Sequence, residues 1–462
     1  MALGRPGEIQ GELMVGWEEM PRSPGQAFYD RLQEVLTVAE FDGFVEEHCS
    51  AHYASRRGRP SLPPGRHFRM NLVGFFEGID SKRGLEWRCS VSLSLRDFLR
   101  LSPRGRVPDH SWLSRTRARL PVEVHGPVFD CVLVRLAEHR FVKGERIGVD
   151  ASTMATNAAL RTIVRCDGGE TSSQMLQRMA EESGIATPTT DDLGRLDREP
   201  KGKKFSNEDW TSPVDPDARV TKMKDGTTHL AYNPEHAVDL DTGAIVTAEV
   251  HSANRGNTAT LSDMLTAAEA RLQLLGQVPS AEEPAEIVAD KGYDSRDVFK
   301  DLDGGGWKSR IAEKRRPEVC RWRGDNAARR ADYNNRARPL PDVAKAVVKL
   351  RAELCGRSFA LVLDCRGMQR IWLRSRANLH KRYLLHIAGC NLGLSMRLLV
   401  GHGTPRQAAA TLHAAFGIVL PTENALILVV IIALVADADK DAVLIAVVSE
   451  RGWETTSSTG CY

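Results

Sequence analysis

The nine cysteines of this 462-residue chain are scattered, with no C-x-x-C pair and no regular spacing. That excludes a disulfide framework and a thiolate zinc ribbon, and it points to a reducing cytosol. Charge of one sign is also scarce: the net charge is +3 and the pI is near 8.3. Any affinity for nucleic acid therefore has to come from local clusters rather than bulk charge. Long hydrophobic runs are missing. The most apolar stretch, "ALILVVIIALVA" at 425–436, falls short of the roughly 20 residues that a membrane span needs, and reads as a buried C-terminal element. The first twenty residues carry Glu8, Glu12, Glu18 and Glu19 and no apolar segment, so they do not read as a secretory signal. A G-x-S-x-G elbow is absent, which argues against a serine hydrolase. What remains, 42% hydrophobic and 27% charged, suits a soluble protein with real cores and two or three domains.

The chain changes character near residue 143. Before it, "AFYDRLQEVLTVAEFDGFVEEHC", "FRMNLVGFFEGI" and "PVEVHGPVFDCVLVRLAEHR" space their apolar residues by threes and fours, as amphipathic helices do. Between the first two, "SRRGRPSLPPGRHFR" carries Arg56, Arg57, Arg59, Arg66, His67 and Arg69, and "PDHSWLSRTRARL" adds Arg115, Arg117 and Arg119. Guanidinium forks at helix entries suit phosphate oxygens. A solvated surface is the plainer account.

After 143, "GERIGVDAS" raises a short apolar strand that ends in Asp150. Residues 165–228 are polar and rich in Gly and Asp, with one helical piece ("SQMLQRMAEES"), the basic "REPKGKKFSNEDW" and no continuous strand ladder, and they read as an insertion. Next, "THLAYNPEHAVDLDTGAIVTAEVHSAN" gives two strands around Asp241-Thr242-Gly243, a hairpin signal. "TATLSDMLTAAEARLQLLG" predicts an amphipathic helix starting at a Thr cap. "AEIVADKGYDS" repeats the opening theme, with Ile287 to Ala289 ending in Asp290. A single strand-end Asp is usually only a cap. Two on neighbouring parallel strands repel unless a divalent cation lies between them, and Mg²⁺ accepts such oxygens while leaving other positions to water and phosphate.

At these residues the chain resembles the DDE transposases of bacterial insertion sequences, in the branch where a helical N-terminal module precedes an RNase H-like catalytic domain. The stretches that carry the resemblance are "GRPSLPPGRHFRM", "FEGIDSKRGLEWRC", "VSLSLRDFL", "PDHSWLSRTR", "IGVDAS" with "NAALRTIVR", "SPVDPDARVTKMKDGTTHLAYNPEHAVDLDTGAIV", "ADKGYDS" and "KRYLLHIAGCNLGLSMR". The resemblance implies that Asp150 and Asp290 are the first two catalytic acids and bind Mg²⁺ or Mn²⁺. It further implies cleavage and strand transfer of double-stranded DNA at transposon ends and target, a homodimer in the DNA complex, no membrane, and a cytoplasmic, nucleoid-associated protein. Relatives place a glutamate directly ahead of an Arg-Ser-Phe-Ala motif, where "AELCGRSFALVLDCRG" has Gly356. Glu353, three residues earlier, is expected to serve as the third acid, with Asp364 as the alternative and outright loss as the other possibility.

The expected architecture is α/β, with an all-helical N-terminal domain at 1–143, an RNase H-like mixed-sheet catalytic domain at 144–400 interrupted at about 165–228, and a helical tail at 401–462. Between 309 and 338 a basic run with Lys314, Arg315, Arg316, Trp322 and Tyr333 suits distorted DNA near a cleavage site, or is an exposed linker. Lys381 and Arg382, near the start of a helix packed under the active site, are further expected phosphate contacts. A haloacid-dehalogenase-type phosphatase is weaker, because Ser152 stands where its loop needs a second Asp. The rival reading is a decayed transposase that only binds DNA, which Gly356 favours.

Overall fold

The computed structural model describes residues 26–410 apart from 55–60, 103, 186, 199–206, 278, 280–281, 306, 315–321, 323 and 338–340. Arg56, Arg57, Arg59, Arg315, Arg316, the run at 425–436 and nearly all of the expected 401–462 tail lie outside the described residues.

Seven helices come first: α1 (Gln26–Val38), α2 (Phe41–Cys49), α3 (Pro64–Glu77), α4 (Lys82–Ser90), α5 (Leu93–Phe98), α6 (His110–Arg119) and α7 (Val122–Glu138). The stretch expected as one helix at 27–49 breaks at Glu40, whose φ of +46° is left-handed, so the apolar stripes of α1 (Phe28, Leu32, Leu36) and α2 (Phe41, Val45, Cys49) meet the core from two directions. Side-chain caps start the shorter helices: Ser81 accepts from Gly84 N, Ser92 from Leu95 N, and Asp109 from Ser111 N and Trp112 N.

A mixed sheet follows. Its strands are β1 (Arg146–Ala151), β2 (Met154–Thr156), β5 (Arg219–Lys222), β6 (Thr228–Asp239), β7 (Ile245–Ser252), β8 (Glu286–Ala289), β9 (Lys308–Ile311) and β10 (Arg370–Ile371), with a separate pair β3 (Val164–Arg165) and β4 (Trp210–Thr211). The central order is β7-β6-β1-β8-β9, in which β6 runs antiparallel to β1 and β7, while β1, β8 and β9 are parallel. This is the strand order of an RNase H-like sheet on an α/β scaffold. The hairpin lies where Asp241-Thr242-Gly243 predicts it. Asp239 accepts from Asp241 N and Thr242 N, and Gly243 supplies the φ of +81° that closes the turn.

Two expectations change. Residues 165–228 do contain ladder: β5 pairs with the first residues of β6, Arg219 facing Ala231 and Lys222 facing Thr228. Within this stretch lie α8 (Ser172–Glu182) and α9 (Thr190–Arg198). The helix after the hairpin, α10 (Asn257–Leu274), is capped by the backbone of Gly256 and not by a threonine. α11 (Arg296–Gly304), α12 (Asn326–Ala337), α13 (Pro341–Phe359) and α14 (Arg376–Val400) complete the fold. The helical N-terminal region and the sheet share one compact unit ending at Ala408, with one continuous core from Phe28 to Ala408. A helix beginning at Arg376 is long and apolar enough to cross a membrane, but 67% of its most apolar window is buried in the protein.

Candidate active site

β1 and β8 pair in parallel with Gly148 facing Val288, and two further steps of that register bring Asp150 level with Asp290. Neighbouring strands lie about 4.8 Å apart, and equal register sends both side chains to one face. Asp150 takes Ala151 N on one oxygen at 2.9 Å, and its other oxygen meets Arg351 Nη1 at 2.8 Å. Burial pushes the Asp150 carboxyl above its ordinary value, with the charge of Asp290 acting in the same direction and Arg351 opposing both. Asp290 accepts Gly292 N at 2.8 Å, and the turn that follows is pinned by Tyr293, whose hydroxyl donates to buried Glu235 at 2.6 Å. Glu235 faces Ala151 across the ladder, one residue out of phase with Asp150, and so lies on the opposite face of the sheet.

Beneath Asp150 is His236, its partner across β6. Ser358 gives its hydroxyl proton to the Cys355 carbonyl, so its oxygen accepts from His236 Nδ1 at 2.8 Å, and Tyr383 of α14 donates to Nε2. Phe359 stacks on the ring at 4.0 Å, and burial holds the imidazole neutral, with its pKa down at about 3. The helix of "KRYLLHIAGCNLGLSMR" thus does pack under the site.

A cleft of about 880 Å³ opens beside Asp150, lined among others by Arg161, Lys224, Gly356, Asp364 and Arg370. Gly356 faces it with open space: a Cβ there would meet nothing within 4 Å. Glu353, expected as the third acid, is not among the lining residues; its carboxylate is 54% exposed and pairs with Arg357 one turn on, at 2.6 Å. The buried stripe of α13 is Val347, Arg351, Cys355 and Phe359, and a residue two positions from Arg351 falls on the far side of the helix. Asp364 reaches the cleft because α13 passes into a π-helical turn, Ala360–Asp364.

Two carboxylates at one level suit a single hard cation that leaves other positions to water and phosphate. Among the described residues no group of three His, Cys, Asp or Glu side chains could hold a metal ion.

The basic residues divide. Arg66 donates to the Leu99 and Arg100 carbonyls, closing the end of α5. Arg69, 1% exposed, is bidentate to Asp42 and also holds Gln33 and the Phe98 carbonyl, which removes it from any DNA surface. Arg115 is exposed over Trp112. Lys314 donates to the Asp294 carbonyl, behind the Asp290 turn. Arg117, Lys381 and Arg382 converge on a separate, partly open cavity. Sequence reading missed Arg351, Arg161, Lys224 and Arg370. Arg351 had a signal: a cation interrupting the apolar i, i+4 stripe of α13 has to find a buried anion.

The Transposase domain (DUF772) matches residues 18–119, and the Transposase DDE domain matches residues 188–357, a span that includes Asp290 and Gly356 and leaves Asp150 outside. No curated protein matches the chain. Among solved structures, a piggyBac transposase synaptic complex with hairpin DNA is 10% identical at a TM-score of 0.33, covering 85% of this chain and 79% of that one. A Mos1 transposase paired-end complex with left transposon end is 10% identical at 0.18, covering 68% and 82%. Both scores are too low to carry an argument. The two domain matches together cover more than half of the chain and meet most of the motifs on which the resemblance rests, and the chain belongs to the DDE-type insertion-sequence transposases.

Proposed function

We propose that this protein cleaves the phosphodiester at each end of an insertion sequence and joins the freed 3′-hydroxyls to target DNA, with Asp150 and Asp290 as its metal-binding acids. The observation that carries the reading is that these two acids follow adjacent parallel strands in register, close enough for the charge of Asp290 to act on Asp150, which lines the cleft. Asp150 and Asp290 would hold magnesium or manganese, which would supply Lewis-acid activation of the attacking water or 3′-hydroxyl and stabilisation of the leaving oxygen. Arg351 pairs with Asp150 and opposes the upward push that burial gives its carboxyl. Arg161, Lys224 and Arg370 set positive charge along the cleft walls, where they attract and orient the DNA backbone. Asp364, which lines the cleft, is the acid best situated to supplement the pair, whereas Glu353 pairs with Arg357 and does not line it. The expected boundaries, 1–143, 144–400 and 401–462, assign end binding to the helical part and cleavage to the sheet. A homodimer on paired ends and a place in the cytoplasm at the nucleoid follow from the same reading.

Asp150→Asn and Asp290→Asn are each expected to abolish metal-dependent nicking of end-containing DNA while leaving end binding nearly intact. Near wild-type cleavage by either variant sinks the two-acid site. A second reading, a decayed transposase that only binds ends, is favoured by Gly356. It is distinguished by wild-type protein that binds ends and does not nick them.

A further inference from the structure

We propose that the partly open cavity between α3, α4, α6 and α14 is a binding site for one phosphate group. Its volume is about 60 Å³, several times the roughly 10–15 Å³ that a single water needs. Lys82, Arg117, Lys381 and Arg382 line it, and Asp80 is the one carboxylate among the lining residues.

The pairing leaves positive charge over. Arg382 is matched by Asp80 at 2.8 Å. Lys82 donates to the Ser114 hydroxyl at 3.0 Å, and buried Lys381 to the Arg117 carbonyl at 3.3 Å, both neutral acceptors that leave the charge standing. The Arg117 guanidinium has no acceptor among the described residues. His67 gives an independent sign. It is 3% exposed and lines the cavity; Asn71 donates its amide toward Nε2 at 3.4 Å, which assigns the ring proton to Nδ1, and Nδ1 has no partner. A buried N–H donor on α3 and the cations of Lys82, Arg117 and Lys381, of which only Lys381 feels a further carboxylate, Glu123, ask for one acceptor-only, multiply charged ligand.

The electrostatics agree with that geometry. Burial first, and then Arg117 and Arg382, push the Lys82 ammonium down to about 8. Burial lowers Arg117 and Arg382 as well. A tetrahedral oxyanion relieves every one of these shifts, because guanidinium forks take two of its oxygens and ammonium groups a third. The phosphate belongs either to the DNA backbone or to free inorganic phosphate. Only the first source rests on the transposase reading, and the test reads binding, so a failure of cleavage chemistry leaves it untouched.

The full-length wild-type chain is titrated with inorganic phosphate against sodium chloride at matched ionic strength, first by calorimetric melting and then during titration with duplex DNA. A saturable rise in melting temperature on the order of 2 °C that chloride does not reproduce supports the site. Arg117→Gln and Lys82→Gln are each expected to weaken phosphate by about tenfold or more, the loss of one hydrogen bond to a charged group. If phosphate also competes with duplex, the backbone is the source; if duplex affinity is unchanged, free phosphate is. Wild-type protein that shows neither phosphate-specific stabilisation nor phosphate competition for duplex overturns the proposal, whatever the variants do.

Discussion

Gly356 concentrates the question of activity in a single residue. It lies inside α13, where glycine is about 1 kcal/mol less favourable than alanine, and a Cβ there meets open space. Gly356→Ala should therefore raise unfolding stability by about 0.5–1 kcal/mol in urea denaturation without altering end binding. A loss of stability would mean that the position is less open than its surroundings show. Gly356→Glu adds a carboxylate to the wall that carries Asp150 and Asp364. If the missing acid is what limits this copy, that variant should nick ends faster than wild type in the presence of Mg²⁺. An unchanged rate would exclude Gly356 as the limiting defect.

At the scale of elements, the site depends on how closely α13 lies over β1. Gly148 makes that approach possible: a Cβ there would come within 2.6 Å of Leu240 Cδ2 and 2.9 Å of Arg351 Cγ. Arg351 is the residue that pairs with Asp150, so Gly148→Ala should both destabilise the fold by about 1–3 kcal/mol, through overpacking, and displace the ion pair. The same logic holds under the sheet. Gly389 of α14 brings that helix against Phe75 of α3, where a Cβ would fall 2.5 Å from the ring. Gly389→Ala should lower the urea midpoint by a comparable amount. If both alanine variants melt like wild type, the helices have room to shift and the close packing is not what fixes them.

For the molecule as a whole, buried histidines set the acid limit. His67, His125, His236 and His386 are all buried, and burial is the leading cause that lowers each of them, to about 3, 4, 3 and 3. Below the ordinary value of 6.5 the unfolded chain takes up protons that the folded chain refuses, so stability falls with pH from 6.5 down to the folded values. Each histidine removes about 1.4 kcal/mol per unit in that window, about 2 kcal/mol each at pH 5. Set against a typical total of about 5–15 kcal/mol, this predicts a steep loss of stability between pH 6.5 and 5. Urea titrations at pH 7 and 5 measure it, and equal midpoints would show that these rings are not held neutral.

Local sequence was enough for much of this protein, because the signals concerned are short-range. The helical character of the chain before residue 143, the Asp241-Thr242-Gly243 turn and the two strands leading to Asp150 and Asp290 follow from periodicity and turn chemistry alone. Strand order and register are long-range: they bring the strand ends that carry Asp150 and Asp290 side by side, while Glu235 lies on the other face of the sheet. The rotation of α13 withdrew Glu353 from the cleft and delivered Arg351 to Asp150, and a π-helical turn brought Asp364 round to the same opening. Composition could likewise not show that Arg66 and Arg69 are bound internally while half-buried Lys82 and Arg117 and buried Lys381 gather around one cavity. A charged side chain reads alike in sequence whether it faces water or the core. Only the packing of distant segments determines which anions come within its reach.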